Sequence, residues 1–155
     1  MSSPEIARFY LLPALEAAPA AIAKLAPHEG DPRWDERPDP ARFTLREVVA
    51  HLADWDEIFI ARMNRTLTED NPFLASVDEG VLCAERRYES QSPSANLERF
   101  ATNRAQLIEL VRSFEAQDWG RPAHREFVGD VDLFRLVTIV IGHDGYHVKQ
   151  FADAV

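Results

Sequence analysis

Apolar residues recur at three- and four-residue steps through four long stretches of the chain, the spacing expected of amphipathic helices. The clearest stretch begins at Thr44-Leu45-Arg46-Glu47, where Thr44 can accept from the Glu47 backbone N–H while the Glu47 side chain reaches back to that of Thr44. Val48, Leu52, Trp55, Ile58, Phe59 and Met63 then form one stripe, which predicts a helix to about Leu67, before Asn71-Pro72. Ser92-Pro93 predicts a second start, since serine caps and proline suits a first helical turn. Leu97, Phe100, Leu107, Leu110, Val111 and Phe114 line its inner face. The last stretch starts at Asp130 or Asp132 and carries Phe134, Leu136, Val137, Ile139, Val140 and Ile141 toward His143, His147 and Phe151. Pro4 to about Leu25 is rich in Ala and Leu and also reads as helix, kinked or in two pieces because Pro13 and Pro19 each remove a hydrogen bond and crowd the preceding turn.

Two long connections remain, His28 to Phe43 and Asn71 to Gln91; the second contains an apolar-charged stretch, Val77 to Tyr88, that predicts a short crossing helix. Period-two alternation is limited to a few residues around Arg125 to Val128. The expectation is an all-α four-helix bundle in one domain spanning residues 1–155, and its long crossover loops rule out a simple up-down-up-down series.

Composition narrows the function classes. With 46% hydrophobic and 28% charged residues, the chain of 155 residues suits a compact core. A net charge of −9 and the lack of a basic helix argue against a nucleic-acid partner. The longest strongly apolar run, Leu136 to Ile141, is too short for a membrane span, and the start of the chain does not resemble a signal peptide. Cys83 is the single cysteine, so no disulfide forms within the chain, and a small buried hydrophobe is its simplest role. A cytoplasmic protein with no membrane partner is expected.

Three of the five histidines fall on the inward stripes of the two best-defined helices. His143 and His147 are four apart, so both imidazoles can reach one ion, and His51 lies between Val48 and Trp55 on a face that also looks inward. Buried imidazoles are costly to desolvate unless partnered, and a shared divalent ion would partner all three. Imidazole suits zinc, nickel, copper or iron alike. Spacing alone also fits paired surface histidines or core histidines hydrogen-bonded separately. His28 and His124 have no register tying them to the others and read as solvated. Gly142 and Gly145, inside a helix beside His143, mark either a close approach of a neighbour or small-residue packing.

The segment Phe43-Thr44-Leu45-Arg46-Glu47-Val48-Val49-Ala50-His51-Leu52-Ala53-Asp54-Trp55-Asp56, with Ile141-Gly142-His143-Asp144-Gly145-Tyr146-His147-Val148-Lys149-Gln150, resembles the DinB-like superfamily of bacterial four-helix bundles over nearly the whole chain. Phe43-Thr44 stands where members often have Trp-Ser, keeping the aromatic and the cap. The resemblance implies an up-down-down-up bundle, often a homodimer. It also implies one divalent metal held at the positions of His51, His143 and His147. Members include S-transferases and isomerases that use low-molecular-weight thiols, and some hydrolases.

A three-histidine site with an open position could deprotonate a thiol or a water, and zinc or nickel would serve. The expected function is a metal-dependent thiol transferase or hydrolase acting on a small electrophilic substrate; the alternative is a non-enzymatic, stress-associated bundle tied together by its ion. Asp54, three residues past His51, is the first candidate for an acid/base group or for a carboxylate that orients a ligand imidazole. Glu47 is second, though the capping box already occupies it. Asp144 and Tyr146 are expected to border the site, Arg62 and Arg65 to form a solvated face with some capacity for an anion, and Trp55 to serve as core or pocket wall.

Overall fold

The computed structural model describes residues Met1–Val155. Its helices are α1 (Ser3–Leu25), α2 (Leu45–Thr68), α3 (Glu79–Glu85), α4 (Pro93–Arg112) and α5 (Leu133–Asp153). The expected interruption of α1 takes the form of a π turn over Ala7–Leu11, in which the Leu12 N–H reaches the Ala7 carbonyl. This wider turn precedes Pro13, whose ring would otherwise meet the carbonyl four residues earlier. Beyond it the helix continues through Pro19 to Leu25. At 23 residues α1 is also long and apolar enough to cross a membrane by length and composition alone, a property hidden from a search for unbroken apolar runs by its interspersed charges. Here its Leu11, Leu15, Ala18 and Ile22 are buried in the bundle.

The four long helices pack as neighbours out of sequence order: α1 and α2 each lie against both α4 and α5. Arg46 bonds the Gln91 carbonyl, Arg99 bonds Asp54 and Arg104 bonds Asp56, a rising register that makes α2 and α4 parallel. Gln150 bonds the Phe43 carbonyl while His51 meets His143, so α2 and α5 are antiparallel. The chain is not wholly helical. β1 (Phe73–Leu74), β2 (Pro122–Arg125) and β3 (Gly129–Asp132) form a small sheet, with β1 parallel and β3 antiparallel to β2. The alternation expected around Arg125 to Val128 falls on the end of β2 and the turn after it, where Phe127 takes a positive φ of 63° and Gly129, opening β3, one of 99°. The short helix expected in the second crossover is α3, capped by Asp78.

Two apolar clusters fill the bundle, one containing Leu11, Leu15, Phe59, Met63, Leu107, Val111, Leu136 and Val140, the other Ile22, Trp34, Val48, Leu52, Phe100 and Phe151. Between them, along α2, α4 and α5, lies a polar layer. Arg104, 1% exposed, donates to both oxygens of Asp56 (2.8 and 2.9 Å), to both of Asp144 (2.6 and 2.8 Å) and to the Leu15 carbonyl (3.0 Å). Burial pushes the Asp56 carboxyl up to about 6 against the pull of Arg104, with Asp144 adding to the rise. Burial raises Asp144 as well. Burial works against the Arg104 charge, yet the hydrogen bonds to Asp144 and Asp56 hold its pKa above that of a free arginine. Asp144 therefore belongs to the interior and does not border the site. Arg62, expected in solvent, is buried too, and donates to the Ala75 carbonyl (2.9 Å). Arg65 is exposed and pairs with Glu69.

Two stability measurements follow from this packing. Arg104→Met leaves two buried carboxylates without their donor and is expected to cost about 3–5 kcal/mol in urea unfolding, most of it recovered when Asp56 and Asp144 are also made apolar. A Cβ added at Gly142 or Gly145 would meet nothing within 4 Å. Of the two readings, close approach of a neighbour and small-residue packing, the close approach is absent, and Gly145→Ala should stabilise the protein by roughly 0.5–1 kcal/mol.

Candidate metal centre

The capping box at the start of α2 sets the register that turns His51 inward. Thr44 N–H donates to Glu47 Oε2 (2.8 Å) and Glu47 N–H to Thr44 Oγ1 (3.2 Å), while Arg37 holds both carboxylate oxygens of Glu47 at 2.8 and 2.9 Å. Glu47 is fully committed to the cap. Two turns on, His51 is completely buried, its ring against Trp55 at 4.2 Å between centroids and Phe43 at 5.3 Å. On α5 the four-residue spacing brings His143 and His147 to the same place. One ligand atom from each of the three rings lies within 4.8 Å of the others, and His51 Nε2 is 2.8 Å from His143 Nε2.

All three imidazoles are held neutral. Burial, then the neighbouring His143 and His147, push His51 down to about 2. Burial and His147 push His143 to about 3, and burial chiefly puts His147 at about 4 although its Nδ1–H is directed at the accepting Gln150 Oε1. Neutral rings present lone pairs, so no proton must leave before a metal binds. The protein alone does not satisfy them: Nδ1 of His51 and of His143 is buried without a partner, and the short Nε2–Nε2 contact can hold only one proton. His147 Nδ1 faces Gln150 Oε1 at 3.4 Å, and Gln150 is anchored by its 2.6 Å bond to the Phe43 carbonyl. That pairing favours the tautomer with Nε2 free to ligate. Three converging neutral nitrogens, one pair at 2.8 Å and all within 4.8 Å, bracket the roughly 3.3 Å between two nitrogens on one tetrahedral zinc, so small ring shifts would let them share a divalent transition ion.

The other candidates distribute differently. Asp54 is not brought to the rings. Its carboxylate, 2% exposed, accepts from Tyr88 Oη (2.5 Å), pairs with Arg86 (2.9 Å) and Arg99 (2.8 Å), and so pins the second crossover to α2 and α4. Three residues on a helix turn it about 60° from His51, enough to face that crossover instead of α5. Tyr146 does border the site. Trp55 is buried and backs His51. Cys83 is half-buried, and burial, with Glu47 and Glu89 nearby, raises its thiol to about 11, which disfavours the thiolate. His28 is exposed, and His124 pairs with Asp130 in the sheet.

Over the rings opens a cavity of about 160 Å³ lined by Arg42, Phe43, Glu79, His143, Tyr146 and His147, among others. Glu79, the first residue of α3, places Oε2 4.0 Å from His51 Nε2. Sequence reasoning passed over Glu79 because it lies in a crossover with no register to the histidines; the only local signal was the Asp78 cap that starts its helix.

The profile of the DinB superfamily matches residues 14–151. A curated relative, YfiT of Bacillus subtilis (strain 168), is 23% identical over 140 residues, covering 90% of this chain and 79% of its own. The solved structure of YfiT, described as a probable metal-dependent hydrolase with an unusual four-helix bundle topology, superposes with a TM-score of 0.86 at 21% identity, over 93% of this chain and 83% of that one. The helical architecture here is thus that of a known four-helix bundle with a small sheet added at its side. On the match of 14–151, this chain belongs to the DinB superfamily.

Proposed function

We propose that this protein is a metal-dependent enzyme in which His51, His143 and His147 hold one divalent transition ion, zinc or nickel, and that it transforms a small electrophilic substrate by hydrolysis or by transfer of a low-molecular-weight thiol. The observation that carries this reading is the cavity above the rings: a purely structural ion would be enclosed, whereas His143 and His147 line a space able to admit a reactant, with His51 buried beneath them. An ion bound there would lower the pKa of a water or thiol so that a nucleophile exists at neutral pH. The chain's own residues supply the rest. Trp55 and Phe59 wall the rings from behind and keep bulk water from the buried side, while Phe43 packs on His51 at the edge of the cavity. Gln150 fixes the His147 tautomer. Glu79, in place of Asp54, is the carboxylate positioned to take and return a proton. The up-down-down-up order belongs to the same proposal, supported by the parallel run of α2 with α4 and the antiparallel run of α2 with α5.

Elemental analysis of untagged protein tests the centre. Wild type should carry close to one equivalent of transition metal, and His51→Ala and His147→Ala almost none, with helical content retained. If wild type holds no metal and takes up neither zinc nor nickel on titration, the reading fails. Glu79→Gln should keep its metal and lose about 10²–10⁴-fold in turnover of whichever hydrolysis or thiol-transfer reaction the wild type catalyses. Retained turnover would remove Glu79 from the chemistry.

The depressed ring pKa values set a pH dependence. In the unfolded chain these imidazoles protonate near 6.5, while in the fold they stay neutral down to about 4, 3 and 2. Their neutrality costs no stability above pH 6.5, and the metal-free protein loses stability as pH falls below that value toward 4. Asp56 and Asp144, raised in the fold, act in the opposite direction over part of this range, and three imidazoles outweigh two carboxylates. Urea midpoints of metal-free protein should therefore fall from pH 7 to pH 4.5. Zinc affinity should change little between pH 8 and pH 6, with almost no proton release from the rings in calorimetry.

A further inference from the structure

Arg42 is the one cationic side chain lining the cavity over the histidines. Most half-buried or buried arginines of this chain are engaged: Arg33 holds Asp31, Arg46 holds Asp35, Arg99 holds Asp54 and Arg104 holds Asp56 and Asp144. No side-chain hydrogen bond or ion pair reaches the Arg42 guanidinium, and its Nε is buried with no acceptor. The carboxylates that share its surroundings, Glu79 over the rings and Glu36, Asp39 and Asp153 in an adjoining cavity of about 310 Å³, leave it unpaired. Arg42 lines both cavities.

Its position is nonetheless defined. The guanidinium carbon lies over the Tyr146 ring, 4.5 Å from the centroid, and Tyr146 in turn packs edge-on against His147 at 5.0 Å and 84°. Stacking on an aromatic face occupies the plane of a guanidinium and leaves its edge free. That edge is a fork of N–H donors matched to two oxygens of one oxyanion. A buried N–H without an acceptor is costly, so the arrangement favours a ligand that brings the acceptor with it. The chain's net charge of −9 offers an anion no long-range attraction, so a preference for one must come from local donors of this kind.

We propose that Arg42 is the anion anchor of this centre: the substrate carries a singly charged oxyanion, a carboxylate or sulfonate, which the Arg42 fork binds on Tyr146 while the electrophilic atom, a few bonds away, faces the His143 and His147 side of the histidine cluster. This rests on the metal-enzyme reading above and adds to it the class of substrate.

Benzenesulfonate and its neutral analogue methyl phenyl sulfone provide the test, each titrated into zinc-loaded and zinc-free full-length protein at about 0.15 M salt and followed by amide chemical shifts. Wild type should bind the sulfonate at least tenfold more tightly than the sulfone in both forms, with shifts at Tyr146 and His147. Arg42→Met and Arg42→Gln, checked for unchanged zinc uptake and helical content, should bring the two affinities within about twofold. Equal affinities in wild type would overturn the proposal. So would a preference that vanishes with the zinc yet survives in both Arg42 variants, since the anion would then be held by the metal. Failure of the underlying metal reading registers separately, as an absence of zinc uptake in wild type.

Discussion

Arg104 cannot shed its charge inside the bundle, and the structure is arranged around that fact. Moving a guanidinium out of water is tolerated only where carboxylates and carbonyls replace the lost solvent with good geometry. Here Asp56 comes from α2, Asp144 from α5 and the Leu15 carbonyl from α1, so one side chain on α4 ties all four long helices at a single level. Apolar packing above and below tolerates small rotations of a helix; a set of bidentate bonds does not. Because Asp144 follows His143 directly, fixing the one fixes the direction of the other, and the imidazole cluster shares a layer with the ion network. The two apolar clusters then act as lids on either side of a polar slice that would be unstable alone.

How far this was legible beforehand depends on whether a residue had a register. Thr44, Glu47, Ser92 and Asp132 announced their helices because caps are local chemistry, readable without knowing the fold. His51, His143 and His147 were legible because each sits on an apolar stripe, where an imidazole is out of place. Arg104 and Asp56 also lie within helices, but a charged residue at helical spacing is ordinarily a solvated one, and only the meeting of three helices shows otherwise. Asp54 misled for a related reason: sequence distance from His51 is short, yet the intervening 60° is decided by what lies opposite, and Tyr88, Arg86 and Arg99 lie opposite. The strands escaped because they are two to four residues long, and β1 finds its partner β2 only across about 50 residues of chain. Glu79 and Arg42 sit in connections, where no periodicity relates a residue to anything else.

The site that results joins a rigid half to a peripheral one. The three rings stand on long helices backed by Trp55 and Phe59, and two of their nitrogens have no partner in the protein. Glu79 and Arg42 reach the same cavity from the crossovers. Rings set on a scaffold keep a ligand geometry, while groups on connecting segments can differ between relatives without disturbing it. Such a division lets one bundle keep its donor set and exchange what it recognises.

The π turn of α1 has a consequence for editing this chain. A π turn is, in effect, one residue more than an α-helix needs, accommodated without breaking the rod. Removing a single residue between Ala7 and Leu11 would convert the wide turn into an ordinary one and leave Ile6 and Ala7 on the face they now turn toward the bundle. The cost would fall instead on Pro13, whose ring would then meet regular helix. A one-residue gap there in an alignment is therefore compatible with an unchanged core face.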